Sequence, residues 1–130
     1  MGGLYVDTSA LGRVLLGEPD AAAVISCLGD FDQHVSSRLL RIELKRLALR
    51  NGLLEHADQL LSGIALLPLD EALLDAAETV RPASVASLDA IHLVTALRLA
   101  DAELIETVMT YDSRLAEGAR EHGLAVLEPA

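Results

Sequence analysis

The sequence predicts an α/β fold, with a parallel sheet held between layers of helices. Short apolar runs alternate with stretches of helical length along its 130 residues, and strand–helix alternation of this kind produces parallel strands. One run, Ile64-Ala65-Leu66-Leu67, is continuously apolar, as strands buried on both faces are. Hydrophobic residues make up 52% of the chain and aromatic ones only 2%. The core is therefore aliphatic, and intrinsic disorder is excluded. A chain of this length suits one domain, residues 1–130, and buries about two-thirds of its unfolded surface without covalent staples.

Five strands are expected. Leu4-Tyr5-Val6 is the first, and it runs into Asp7-Thr8-Ser9, whose oxygens suit a helix N-terminus. Helices follow over 9–16 and 20–28, parted by Gly17-Glu18-Pro19. A short strand is expected over 33–36, then a helix from Ser37 to Asn51-Gly52, a favourable C-terminal stop. Another helix covers 53–62. The third strand, 64–69, contains Pro68, which cannot donate to a ladder. Asp70 caps a helix expected to continue through Val80, where Arg81-Pro82 closes it. Ser87 opens the next, with Ile91, Val94, Leu97 and Leu99 on its apolar side. The fourth strand spans 104–110, Asp112 caps a helix to about His122, and 124–127 forms the fifth strand.

Charge narrows the function classes less than its total suggests. The net charge of −10 opposes nucleic-acid phosphates. Yet Arg38, Arg41, Lys45, Arg46 and Arg50 fall within thirteen positions, with only Glu43 among them. That segment carries +4, leaving −14 on the rest. By patterning alone it is either a solvated helix face or a phosphate-attracting one. The longest stretch without a formal charge, 59–69, is far short of the roughly 20 apolar residues of a spanning helix. No Lys or Arg precedes Asp7, and Val6 stands where a myristoylation motif wants Ser or Thr. A single cysteine, Cys27, excludes an intramolecular disulfide. The expectation is a soluble, cytoplasmic protein.

Ligands of parallel α/β sheets sit beyond the carboxyl ends of the strands. Four acids fall where that rule could gather them: Asp7 after strand one, Asp112 after strand four, Asp89 in a helix's first turn and Glu43 in the basic helix. Each has an ordinary alternative. Asp7 and Asp112 suit N-caps, Asp89 suits a helix dipole, and Glu43 suits a surface pair with Arg46. Two carboxylates about 5 Å apart at an effective dielectric near 20 repel by roughly 3 kcal/mol. Gathered acids therefore raise one another's pKa or need cations.

The surroundings of these acids carry a resemblance. Leu4-Tyr5-Val6-Asp7-Thr8-Ser9-Ala10-Leu11 looks like the opening strand and first acid of the PIN-domain ribonucleases, in particular the VapC-type toxins of bacterial type II toxin–antitoxin pairs. Ser36-Ser37-Arg38-Leu39-Leu40-Arg41-Ile42-Glu43-Leu44 resembles the segment bearing the second acid, and Ser87-Leu88-Asp89-Ala90-Ile91-His92-Leu93-Val94-Thr95-Ala96 the block bearing the third. Thr110-Tyr111-Asp112-Ser113-Arg114-Leu115, then Gly123-Leu124 and Pro129, is similar to the closing pattern. The four blocks keep the family's order across nearly the whole chain.

The resemblance implies a PIN-like three-layer α/β/α sandwich with a five-stranded parallel sheet. It also implies an endoribonuclease dependent on Mg²⁺ or Mn²⁺ that leaves a 5′-phosphate and a 3′-hydroxyl. Asp7 and Asp89 would be the principal metal ligands, with Glu43 and Asp112 completing the set directly or through water. Hard oxygen donors suit these ions, which activate water and neutralise phosphate charge. The family further implies a homodimer, a cognate antitoxin and an RNA substrate. A non-catalytic PIN-like scaffold that binds RNA or protein is the alternative. A phosphoacceptor receiver domain is disfavoured, because the only lysine, Lys45, lies in the basic helix.

Other residues are weighed the same way. His92, one turn after Asp89, is expected to be a hydrogen-bonded helix histidine rather than a ligand. His34, His56 and His122 have no zinc spacing. Thr8, Ser9 and Thr110 are expected to act as ordinary capping hydroxyls, with support of the acids as the alternative. Tyr5 and Tyr111 adjoin candidate acids, which core packing explains equally well. On the basic helix, Leu40, Leu44 and Leu47 form the stripe expected to face the core. Ile42 and Leu49 fall on another side, beside Arg38, Arg41 and Lys45, and are expected in an interface.

Overall fold

The computed structural model describes residues 2–130. Five strands, β1 (Gly3–Val6), β2 (Gln33–Ser37), β3 (Ala65–Leu67), β4 (Ile105–Met109) and β5 (Ala125–Leu127), form one sheet in the order β3-β2-β1-β4-β5. Every neighbouring pair is parallel. Among the described residues seven helices connect them: α1 (Thr8–Leu16), α2 (Ala21–Leu28), α3 (Arg38–Asn51), α4 (Leu54–Leu61), α5 (Glu71–Ala77), α6 (Ser87–Asp101) and α7 (Ser113–Glu121). The expected five-stranded α/β/α arrangement is the one found. Among the described residues no helix is long and apolar enough to cross a membrane.

The alternation of β1 divides the core in two. Leu4 and Val6 point to one side, where they meet Leu11 and Leu15 of α1, Leu40 and Leu44 of α3, and Leu61 of α4. Tyr5 points to the other, against Leu93 and Leu99 of α6 and Leu115 of α7. Because both faces are covered, β1 is buried throughout Leu4–Val6. Leu40 and Leu44 are fully buried, as their stripe predicts, whereas Ile42 and Leu49 are 49% and 53% exposed.

Sequence order reverses about β1, since β2 lies on one side of it and β4 on the other. The two connections leave β1 and β4 in opposite directions, which opens a crevice beyond their carboxyl ends. Asp7 follows the last residue of β1, and Asp112 lies three residues beyond β4.

Boundaries differ in two places worth a reason. The helix expected to reach Val80 ends at Ala77. Thr79 and Val80 are β-branched and lose side-chain freedom in a helix, and they instead line, with Arg81, Val85 and residues of α5 and α6, a cleft of about 510 Å³. The first helix starts at Thr8 rather than Ser9, because Asp7 is its N-cap and accepts from Ala10 N at 3.0 Å. Gly52 stops α3 as predicted, at φ +68°, a conformation costly for residues with a Cβ.

Candidate active site

Asp7 is the most enclosed of the four acids, at 2% exposure. Its Oδ1 accepts from Ala10 N at 3.0 Å and from Ser9 Oγ at 2.7 Å. Its Oδ2 accepts from Thr110 Oγ1 at 2.5 Å and Ser9 Oγ at 3.0 Å. Burial pushes its carboxyl above the ordinary value, against the lowering by the Thr110 and Ser9 hydroxyls. Those hydroxyls in turn accept from the next loop: Tyr111 N donates to Ser9 Oγ at 2.8 Å, and Asp112 N to Thr110 Oγ1 at 3.0 Å. One network thus ties the ends of β1 and β4 together.

The capping role expected for Thr8, Ser9 and Thr110 is therefore corrected. Asp7 itself takes the cap, which frees the hydroxyls of Ser9 and Thr110 to turn to its carboxylate, while Thr8 donates to Glu43. The sequence shows which residues are hydroxylic near an acid, but not which way they rotate.

Asp112 caps α7. Its Oδ1 accepts from Arg114 N and Leu115 N, both at 2.9 Å, and Oδ2 lies outside the cap. Asp89 is in the first turn of α6, but the N-cap there is Ala86, so Asp89 does not close the helix. Its carboxyl is pushed up to about 6, first by burial, then by the adjacent Asp112, with Asp7 adding in the same direction. Asp89 is thus close enough to both Asp112 and Asp7 to be repelled by them.

Glu43 reaches the same end of the sheet from α3, but toward a histidine. Its Oε1 accepts from Thr8 Oγ1 at 2.6 Å and from His92 Nε2 at 2.8 Å. The alternative surface pair with Arg46 is not among the ion pairs of the described residues. Half-burial raises the Glu43 carboxyl, yet the His92 and Thr8 hydrogen bonds outweigh it and leave it below its ordinary value. His92 is buried and bonded at both nitrogens, with Tyr5 Oη 2.7 Å from Nδ1. It is the hydrogen-bonded helix histidine expected, though its partners come from β1 and α3.

Among the described residues no trio of His, Cys, Asp or Glu side chains stands at metal-holding geometry, nor does any Lys or Arg ion-pair with Asp7, Asp89 or Asp112. The donor set is nonetheless of the right chemistry: carboxylate oxygens, with Asp89 repelled by its neighbours and no Lys or Arg paired to the aspartates, fit a hard divalent cation. Magnesium is commonly held by one or two carboxylates, with water and substrate phosphate filling the remaining positions.

Comparison with known proteins decides the family. The PIN domain family profile matches residues 4–121. Ribonuclease VapC47 of Mycobacterium tuberculosis is 38% identical over 97% of this chain and 96% of its own. The chain is a PIN-domain protein of the VapC ribonuclease family. Ribonuclease VapC46 of the same organism is 34% identical over the whole of both chains, and Ribonuclease VapC35 is 30% identical over 97% of this one. In three dimensions the same fold recurs in a toxin–antitoxin complex from Klebsiella pneumoniae, with TM-score 0.75 at 17% identity and 98% of each chain covered.

Proposed function

We propose that this chain is the toxin of a type II toxin–antitoxin pair, a cytoplasmic endoribonuclease that hydrolyses RNA phosphodiester bonds with Mg²⁺ or Mn²⁺ and is neutralised by a cognate antitoxin. The observation that carries the reading is the crevice beyond β1 and β4, where burial first, then the nearby Asp112 and Asp7, push the Asp89 carboxyl up to about 6 with no Lys or Arg ion-paired to any of the three. Membership of a family of ribonucleases supplies the reaction class.

Asp89 and Asp7 would be the principal ligands, with Asp112 Oδ2 and Glu43 Oε2 completing the set directly or through water. When bound, the ion supplies an activated water and neutralises charge on the attacked phosphate. The chain's own residues do the rest. Ser9, Thr110 and Ala10 N fix both oxygens of Asp7, so its orientation is set before substrate arrives. Two backbone amides hold Asp112 by one oxygen, and Thr8 with His92 hold Glu43 by one.

RNA would approach over α3. Arg38, Arg46 and Arg50 are exposed there, and Lys45 is held by Asp58 at 3.0 Å. Local positive charge attracts phosphate despite the net charge. Ile42 and Leu49, exposed on that helix, are the proposed apolar contacts of the homodimer or the antitoxin.

The test is cleavage of a labelled RNA by the purified protein. Nuclease action predicts fragments with 5′-phosphate and 3′-hydroxyl ends, loss of cleavage with a chelator, and recovery on adding Mg²⁺ or Mn²⁺. RNA retained uncut at every metal concentration would make the protein a binding scaffold instead.

A further inference from the structure

We propose that His92 is a positioning residue of this site: together with Thr8, and backed by Tyr5, it determines which oxygen of Glu43 is offered to the acidic crevice. The inference deepens the nuclease reading and rests on it.

The argument begins with hydrogen-bonding capacity. The Glu43 carboxylate can only accept, so the 2.8 Å contact with His92 requires the ring hydrogen on Nε2. In the neutral ring Nδ1 then accepts, and the Tyr5 phenol, 2.7 Å away, is its donor. Direction therefore runs one way, from Tyr5 Oη to Nδ1 and from Nε2 to Glu43. Thr8 Oγ1 donates to the same oxygen, Oε1, at 2.6 Å. Two donors converging on Oε1 leave Oε2 outside both bonds.

The placement of the four residues makes this an orienting device. Tyr5 is fully buried in β1, two residues before Asp7, and meets the His92 ring edge-on at 5.9 Å. His92 lies one turn beyond Asp89 on α6, and Thr8 immediately follows Asp7. The chain of bonds thus joins the elements that carry Asp7 and Asp89 to α3, which carries Glu43. Without it, Glu43 sits on a basic helix with Arg46 three residues on, an ordinary partner at helical spacing. Groups that hold a ligand by its second atom commonly change metal affinity or activity by about 10–100-fold when removed.

The experiment uses the full chain in three forms, wild type, His92→Phe and His92→Gln, and reads RNA cleavage, Mn²⁺ affinity by calorimetry and thermal melting. Phenylalanine keeps the bulk and deletes the donor, whereas the glutamine amide restores a donor near the Nε2 position. Expected are losses of about 10–100-fold in cleavage and in Mn²⁺ affinity for His92→Phe, and recovery of most of both in His92→Gln. Equal losses in the two variants, or a His92→Phe protein that cuts and binds like wild type, would overturn the proposal.

Should His92→Phe fail to fold, Tyr5→Phe tests the same chain from behind, with at least a several-fold fall in cleavage expected and an unchanged rate contradicting it. Long-range ¹H–¹⁵N spectra of the metal-free wild type should place the His92 hydrogen on Nε2; a ring protonated on Nδ1 alone would refute it. Absence of both cleavage and Mn²⁺ binding in the wild type would remove the nuclease reading and this inference with it. Normal wild-type activity with an indifferent His92→Phe removes this inference alone.

Discussion

Replacing Asp89 with Asn removes a carboxylate whose charge the folded protein disfavours and which the proposed reaction requires. The Asp89 carboxyl is pushed from its ordinary 3.8 to about 6, by burial and then by Asp112. At about 1.36 kcal/mol for each tenfold change in proton affinity, that displacement caps the cost of ionising it in the fold at about 3 kcal/mol. Asp89 is only partly buried, and solvent screening reduces that figure to about 1 kcal/mol. The sign follows from proton affinity: the folded state binds this proton more tightly than the unfolded chain. Relative stability is therefore fully present below about pH 4, falls as pH rises from about 4 to 6, and is lost above that. A neutral amide removes the dependence. In urea unfolding with chelator at about pH 7.5, Asp89→Asn should be more stable than wild type by about 1 kcal/mol, with RNA cleavage abolished. At about pH 4 the stability difference should vanish. A metal-free Asn variant less stable than wild type at about pH 7.5 would refute the reasoning, since Asp89 would then hold a structural bond.

Three further outcomes follow from the same geometry. Asp7→Asn should behave oppositely in stability, losing about 1–3 kcal/mol in urea, because an amide nitrogen would face the hydroxyls and backbone N–H that now donate to both oxygens; unchanged stability would contradict the bonding network. Gly3→Ala should cost about 1–3 kcal/mol, since a Cβ there would collide with the Leu104 carbonyl, which belongs to the backbone and cannot swing away. A melting temperature equal to wild type would count against that close approach. Alanine at both Ile42 and Leu49 should weaken assembly, and unchanged mass by light scattering together with unchanged antitoxin affinity would remove α3 from the interface.

What could be read from the sequence depended on whether local chemistry decided it. An apolar triplet followed by Asp7, and another strand run followed by Asp112, were enough to put both acids at strand ends. The periodicity of Leu40 and Leu44 likewise located the buried side of α3. The overrun to Val80 was a competition between a helical pattern and β-branched residues that the pattern alone did not resolve. Contacts between distant elements were out of reach. Nothing local shows that His92 bridges Tyr5, 87 residues away, and Glu43, 49 away. Nor does it show that Thr110 and Ser9, 101 residues apart, share the Asp7 carboxylate.

A divalent ion held by the aspartates at the end of β1 and the start of α6 is the core of the functional account, and direct titration with Mn²⁺ tests it without RNA. Wild-type protein should bind Mn²⁺ and melt at a higher temperature as the ion is added, as for any ligand preferring the folded state. Asp89→Asn should lose both responses while remaining folded. A wild type indifferent to Mn²⁺, or an Asn variant that binds it equally well, would contradict the account.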